Sequence, residues 1–149
     1  MAEIEIGGLE DGDRTAWQEL FRGYNAFYGR EWPEERYEQA WHDFRRDDRI
    51  HALVARLDGR AVGLTHFLFH PSTTAGDVCY LQDLFTDADL RGRGVARALI
   101  AAVAEEARRK GCERVYWHTR EDNATARRLY DKVAENRGFI QYVVPLTTG

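Results

Sequence analysis

The chain has 149 residues, 44% hydrophobic and 31% charged, proportions of an ordinary globular protein at a length that fits one domain, residues 1–149. A formal net charge of −4 lacks the basic excess that broad nucleic-acid binding requires. No apolar run approaches the roughly 18 residues that span a bilayer, so no membrane association is expected. The N-terminus has neither the basic nor the apolar segment of a signal peptide. Cys79 and Cys112 have no metal-ligand spacing and read as free thiols of a cytoplasmic protein.

Polar–apolar alternation over Glu3 to Ile6 predicts a short strand. Asp11 and Asp13 are candidate caps for the helix that follows. In that helix Ala16, Trp17, Leu20, Phe21, Tyr24, Phe27 and Tyr28 recur at helical spacing, and the pattern stops near Gly29. Pro33, Glu34 and Glu35 suit the start of a second helix, whose apolar stripe is Tyr37, Trp41 and Phe44. His51 to Leu57 predicts a strand, Asp58-Gly59 a tight turn, and Ala61 to Phe69 the returning strand. His66 and His70 read as strand histidines rather than metal ligands. A second turn over Pro71 to Gly76 leads into a strand from Val78 to Thr86, which completes an antiparallel meander. By alternation Tyr80, Gln82 and Leu84 share one face of that strand, and Leu81, Asp83 and Phe85 the other, unless the strand bulges.

The stretch from Tyr80 to Gly111 organises the rest. Its strand runs through an acidic turn into the loop Arg91-Gly92-Arg93-Gly94-Val95-Ala96 and then a long helix. Val95, Leu99, Val103 and Ala107 form the apolar stripe of that helix, Arg108 to Lys110 its cationic last turn, and Gly111 its stop. A glycine-rich loop feeding a helix N-terminus suits an anion such as phosphate. No Gly-Lys-Ser/Thr follows, so it is not a P-loop, and no G-x-G-x-x-G marks a dinucleotide fold. Arg114 to Thr119 predicts a strand parallel to the one before the helix. Asn123 caps a further helix reaching Val133, with Ala126, Leu129, Tyr130 and Val133 on one face, and Phe139 to Val144 predicts a last strand.

Arg91-x-x-Gly94-x-Ala96 resembles the R/Q-x-x-G-x-G/A loop of the GNAT superfamily of N-acetyltransferases, and Asn123 to Tyr130 resembles that family's N-x-x-A-x-x-L-Y helix. The resemblance runs from about Ile4 to Leu146. It implies an α/β GNAT fold: a mixed, mostly antiparallel sheet with flanking helices and a splayed parallel strand pair at the acetyl-coenzyme A site. It implies that Arg91, Gly92, Arg93, Gly94, Val95 and Ala96 hold the pyrophosphate. Leu84, Phe85 and Thr86 would pair with the pantetheine arm, and Asn123 and Tyr130 would reach the coenzyme. Tyr130 becomes the acid for the leaving thiolate, and Tyr24 and Tyr28 line the acceptor site. The segment Tyr80-Leu-Gln-Asp-Leu-Phe-Thr86 is further similar to a strand of spermidine/spermine N-acetyltransferases. Gln82 stands there in place of the family's proton-accepting glutamate, which leaves Asp83 or a water relay as base and Tyr80 and Gln82 as substrate contacts.

The expected reaction is acetyl transfer from acetyl-coenzyme A to a primary amine, a polyamine or a lysine-like amine, by direct attack in a ternary complex without metal. A homodimer is expected from the resemblance. Two alternatives stand beside it: acetylation of protein lysines or N-termini, and a non-catalytic coenzyme-binding regulatory module. The connection from Asp131 to Arg137 is longer than the family's usual turn to Gly138-Phe139.

Overall fold

A computed structural model describes residues 3–147 and divides the chain into two compact units, Met1–His118 and Thr119–Gly149. The first holds strands β1 (Ile4–Gly7), β2 (His51–Leu57), β3 (Arg60–His70), β4 (Val78–Thr86) and β5 (Val115–Tyr116), with helices α1 (Arg14–Phe27), α2 (Glu34–Arg46) and α3 (Val95–Arg109). The second holds α4 (Ala124–Val133).

The strands form one sheet in the order β1-β2-β3-β4-β5. The first three pairings are antiparallel and β4–β5 is parallel. This is the mixed α/β architecture expected from the two hairpins and the strand–helix–strand crossover. Each face of the sheet is covered by its own set of side chains. Trp17, Leu20 and Phe21 of α1 and Tyr37, Trp41 and Phe44 of α2 pack on Val54 and Leu64. Leu90, Val95 and Leu99 pack with Ala55 and Val62 on the α3 side. Alternation along β2 and β3 divides the two sets, since Val54 and Leu64 point one way and Ala55 and Val62 the other.

Three expectations need correction. Asp13 precedes α1 but makes no side-chain cap to it. Its carboxylate instead accepts from the Glu10 amide at 2.8 Å and pairs with the Arg56 guanidinium. Burial would raise the Asp13 pKa, but Arg56 and the Glu10 amide more than offset it and hold the carboxyl below its usual value. The strand expected over Arg114 to Thr119 shortens to Val115–Tyr116, because its only strand partner among the described residues is β4 and the ladder ends at Tyr80. The last strand expected over Phe139 to Val144 does not form: residues 134–146 carry no helix or strand. A strand needs a neighbour for its backbone groups, and this segment joins no ladder. Its apolar residues stand exposed, Tyr142 at 87% and Leu146 at 91%.

Candidate active site

Two features of β4 define the site. The first is a bulge. Asp83 lies opposite His66 and Leu81 opposite Phe67, so Gln82 is the extra residue with no partner on β3. The bulge changes the parity of the strand. Tyr80 pairs with Leu68 and Asp83 with His66, two residues apart on β3, so Tyr80 and Asp83 share a face. Simple alternation had put them on opposite faces, with Gln82 beside Tyr80. Gln82 is instead exposed, and its carbonyl lies 3.4 Å from the Tyr24 hydroxyl that donates to it.

The second feature is the splay. β4 pairs with β3 as far as Thr86 but with β5 only at Cys79 and Tyr80. From Leu81 to Thr86 the β5-facing edge of β4 has no strand partner among the described residues, leaving main-chain groups open to an added extended ligand. Leu84 and Phe85 are half-buried on this stretch, and the Thr86 hydroxyl is buried without a hydrogen-bond partner.

The strand then enters the glycine loop. Gly92 and Gly94 sit at φ 84° and 83°, and a Cβ at either would meet open space rather than protein. Glycine is needed there for the left-handed backbone, and the open space admits a ligand close to the main chain. Gly94 caps α3, so the first amides of the helix at Val95 and Ala96 have no intrahelical acceptor. Arg91 lies over the Phe85 ring at 5.7 Å. Neither Arg91 nor Arg93 forms an ion pair among the described residues. Unpaired guanidinium groups, left-handed glycines and a helix N-terminus fit a pyrophosphate.

On the shared face of Tyr80 and Asp83 the aromatic end of α1 closes in. The tilted rings of Tyr24 and Tyr28 have centroids 5.0 Å apart, and Tyr24 meets Phe85 edge-on at 6.4 Å. Gly23 permits this approach: a Cβ there would come within 2.8 Å of the Phe85 ring. Burial, then the charge and hydrogen bonding of Asp83, raise the Tyr24 pKa far above normal, so the phenol stays protonated and donates. Burial chiefly, then Tyr116 and Asp83, raises that of Tyr80. The Tyr80 ring lies 5.0 Å from Tyr116 and 5.5 Å from His118.

Behind Asp83 lies His66, which the sequence marked only as a strand histidine. His66 Nδ1 is 2.9 Å from Asp83 Oδ2, and Trp17 Nε1 is 3.0 Å from His66 Nε2. The signal in the sequence was one titratable residue inside the apolar run Gly63 to Phe69, but its partners lie on other elements.

Thus the fold gathers Tyr24, Tyr28, Tyr80, Asp83 and Phe85, and sets Leu84, Thr86 and Arg91 to Ala96 along the strand and loop that follow. Asn123 and Tyr130 belong to the second unit. Asn123 caps α4, its Oδ1 accepting from the Ala126 amide at 3.4 Å, and its Nδ2 donates to Thr119 Oγ1 at 3.3 Å. Tyr130 is half-buried on α4.

Comparison with known proteins agrees with this architecture. Residues 17–134 match the acetyltransferase (GNAT) family model. A D-amino-acid N-acetyltransferase of Saccharomyces cerevisiae is 33% identical over 93% of this chain and 89% of its own length. A thialysine N-epsilon-acetyltransferase of Caenorhabditis elegans is 33% identical over 56% of this chain and 52% of its own. Among solved structures, an aminoglycoside N-acetyltransferase in complex with CoA superposes with TM-score 0.86 at 20% identity, covering 99% of this chain and 97% of that one. The chain belongs to the GNAT acetyltransferase family, and acetyl transfer is its chemistry.

Proposed function

We propose that the protein transfers acetyl from acetyl-coenzyme A to a primary amine of a small lysine-like amino acid, by direct attack in a ternary complex. The observation that carries the acceptor is the wall of Tyr24, Tyr28 and Tyr80 around Asp83, because aromatic faces and one carboxylate attract an ammonium group. Arg30 narrows it. Its guanidinium lies 5.7 Å from the Tyr24 ring centre and 5.2 Å from that of Tyr28, with no ion pair among the described residues. A cation there suits an acceptor that also bears a carboxylate and repels a polyamine. The relatives named for D-amino acids and thialysine support the same choice.

The acceptor nitrogen, once deprotonated by Asp83 directly or through water, attacks the thioester carbonyl carbon. The N–C bond forms, the C–S bond breaks, and the proposed acid, Tyr130, protonates the leaving thiolate. Holding both substrates together supplies much of the rate. We further propose that the two units act as one catalytic domain, a reading supported by a family match that runs across both. The enzyme is proposed as a cytoplasmic homodimer. The exposed apolar residues from Phe139 to Leu146 support the dimer, and two free cysteines the compartment.

The test is thiol release from acetyl-coenzyme A over lysine, thialysine, cadaverine, spermidine, an aminoglycoside and a lysine-tail peptide, with Tyr130→Phe alongside. Turnover of lysine or thialysine well above cadaverine and spermidine is expected. A fall in kcat of roughly 10-fold or more in the variant, about 1.4 kcal/mol, is expected with it. Turnover of the peptide alone would favour a protein-modifying enzyme, and coenzyme binding without any turnover a regulatory module.

A further inference from the structure

We propose that His66 and Trp17 are positioning residues for acyl transfer, holding the Asp83 carboxylate by one oxygen so that the other is presented to the acceptor amine. The inference rests on the reading of Asp83 as the acceptor-facing carboxylate.

The His66 ring is 2% exposed and sits in an aromatic box. It stacks on Phe44 at 3.9 Å and meets Phe21 edge-on at 4.8 Å. An imidazole costs free energy in such surroundings unless both nitrogens are satisfied, and here both are. An indole N–H can only donate. Trp17 Nε1–H therefore fixes Nε2 of His66 as the acceptor and puts the ring proton on Nδ1, facing Asp83 Oδ2. Donation runs one way, from Trp17 to His66 to Asp83. The bulge at Gln82 is what sets Asp83 opposite His66 on the neighbouring strand. Packing accounts for the ring contacts but not for the two directed hydrogen bonds. The chain of donors ends on a carboxylate that is only 13% exposed and shares its face with Tyr24 and Tyr80. A carboxylate held at Oδ2 by His66, with the Tyr24 hydroxyl beside it, loses rotational freedom, and an oriented charge acts on a bound amine without reorganising.

Three variants of the full chain separate positioning from packing. His66→Met keeps the volume and apolar contacts but has no N–H. His66→Asn leaves a void but places an amide donor close to where Nδ1 sits. Trp17→Phe keeps a ring and removes the donor to Nε2. Positioning predicts that kcat/KM for lysine falls roughly 10-fold in His66→Met, the loss expected for one hydrogen bond to a charged group. The KM for acetyl-coenzyme A stays unchanged, while Tm falls modestly, because the buried Trp17 N–H loses its acceptor. His66→Asn should be less stable than His66→Met yet more active, and Trp17→Phe should fall between His66→Met and wild type in activity. Activity that follows Tm across the three, or full activity in His66→Met, would overturn the inference while leaving the acetyltransferase reading intact. A wild-type protein that acetylates no amine would overturn that reading and this one with it.

Discussion

The two halves of β4 are built by different means. Its end, from Leu84 into the glycine loop, offers main chain: an unpaired strand edge, two left-handed glycines and the first amides of α3. Its middle, at Tyr80 and Asp83, offers side chains, held by residues from α1 and β3. Main chain can serve every acyl transfer that uses the same coenzyme. Side chains can change with the acceptor while the loop stays fixed. A substitution should therefore act on one substrate and spare the other, according to the half it strikes.

The largest effect is expected at Asp83. Asp83→Asn keeps the shape and removes the charge, and should lower kcat/KM for the amine by roughly 100-fold or more, with acetyl-coenzyme A affinity unchanged. Steady-state kinetics with each substrate varied in turn would read this, and an equal loss for both substrates would break the division. Gly94→Val should do the reverse. A β-branched residue at φ 83° is strained by about 2 kcal/mol, and its side chain obstructs the loop. That strain lowers stability, and because the side chain fills the open space beside the loop, coenzyme affinity measured by calorimetry should fall at least roughly 10-fold, about 1.4 kcal/mol, with the residues around Asp83 intact. Gly23→Ala should push on the Phe85 ring. The added methyl should cost about 1–2 kcal/mol of stability as overpacking, offset in part by the better helix propensity of alanine. Thermal unfolding should show the loss, and the KM for the amine should move more than that for the coenzyme. Arg93→Ala should be the mildest. An exposed cation at a screened site contributes up to about 1 kcal/mol, so coenzyme affinity should fall no more than about 5-fold, and less at high salt.

How much was legible in the sequence follows the same division. The loop and its helix were readable because glycine and helix-start signals are local. The meander was readable because Asp58-Gly59 and the turn before Val78 mark hairpins. In the structure Asp58 and Gly59 both take the positive φ that such a turn needs. The proposed acceptor wall was only half readable. Tyr24 and Tyr28 announced an aromatic helix end, but nothing at Gln82 signals that it will be the bulged residue, and that one insertion decides which way Asp83 points. His66 and Trp17 are 49 residues apart in sequence, so their hydrogen bond has no local signature. The expected strand from Phe139 to Val144 shows the opposite failure. Its aromatic and β-branched residues are strand-like, yet composition reports which side chains could be buried and not whether a neighbour exists to accept the backbone hydrogen bonds.

The measurement to make first is a product balance. Wild-type protein is mixed with acetyl-coenzyme A and lysine, and free thiol and acetylated lysine are quantified together over time. Direct transfer predicts that both rise at one rate and in equal amounts, and that Asp83→Asn slows both without weakening coenzyme binding. Thiol released with no acetylated amine, or an Asp83→Asn protein as fast as wild type, would contradict the acceptor site proposed on the bulged middle of β4.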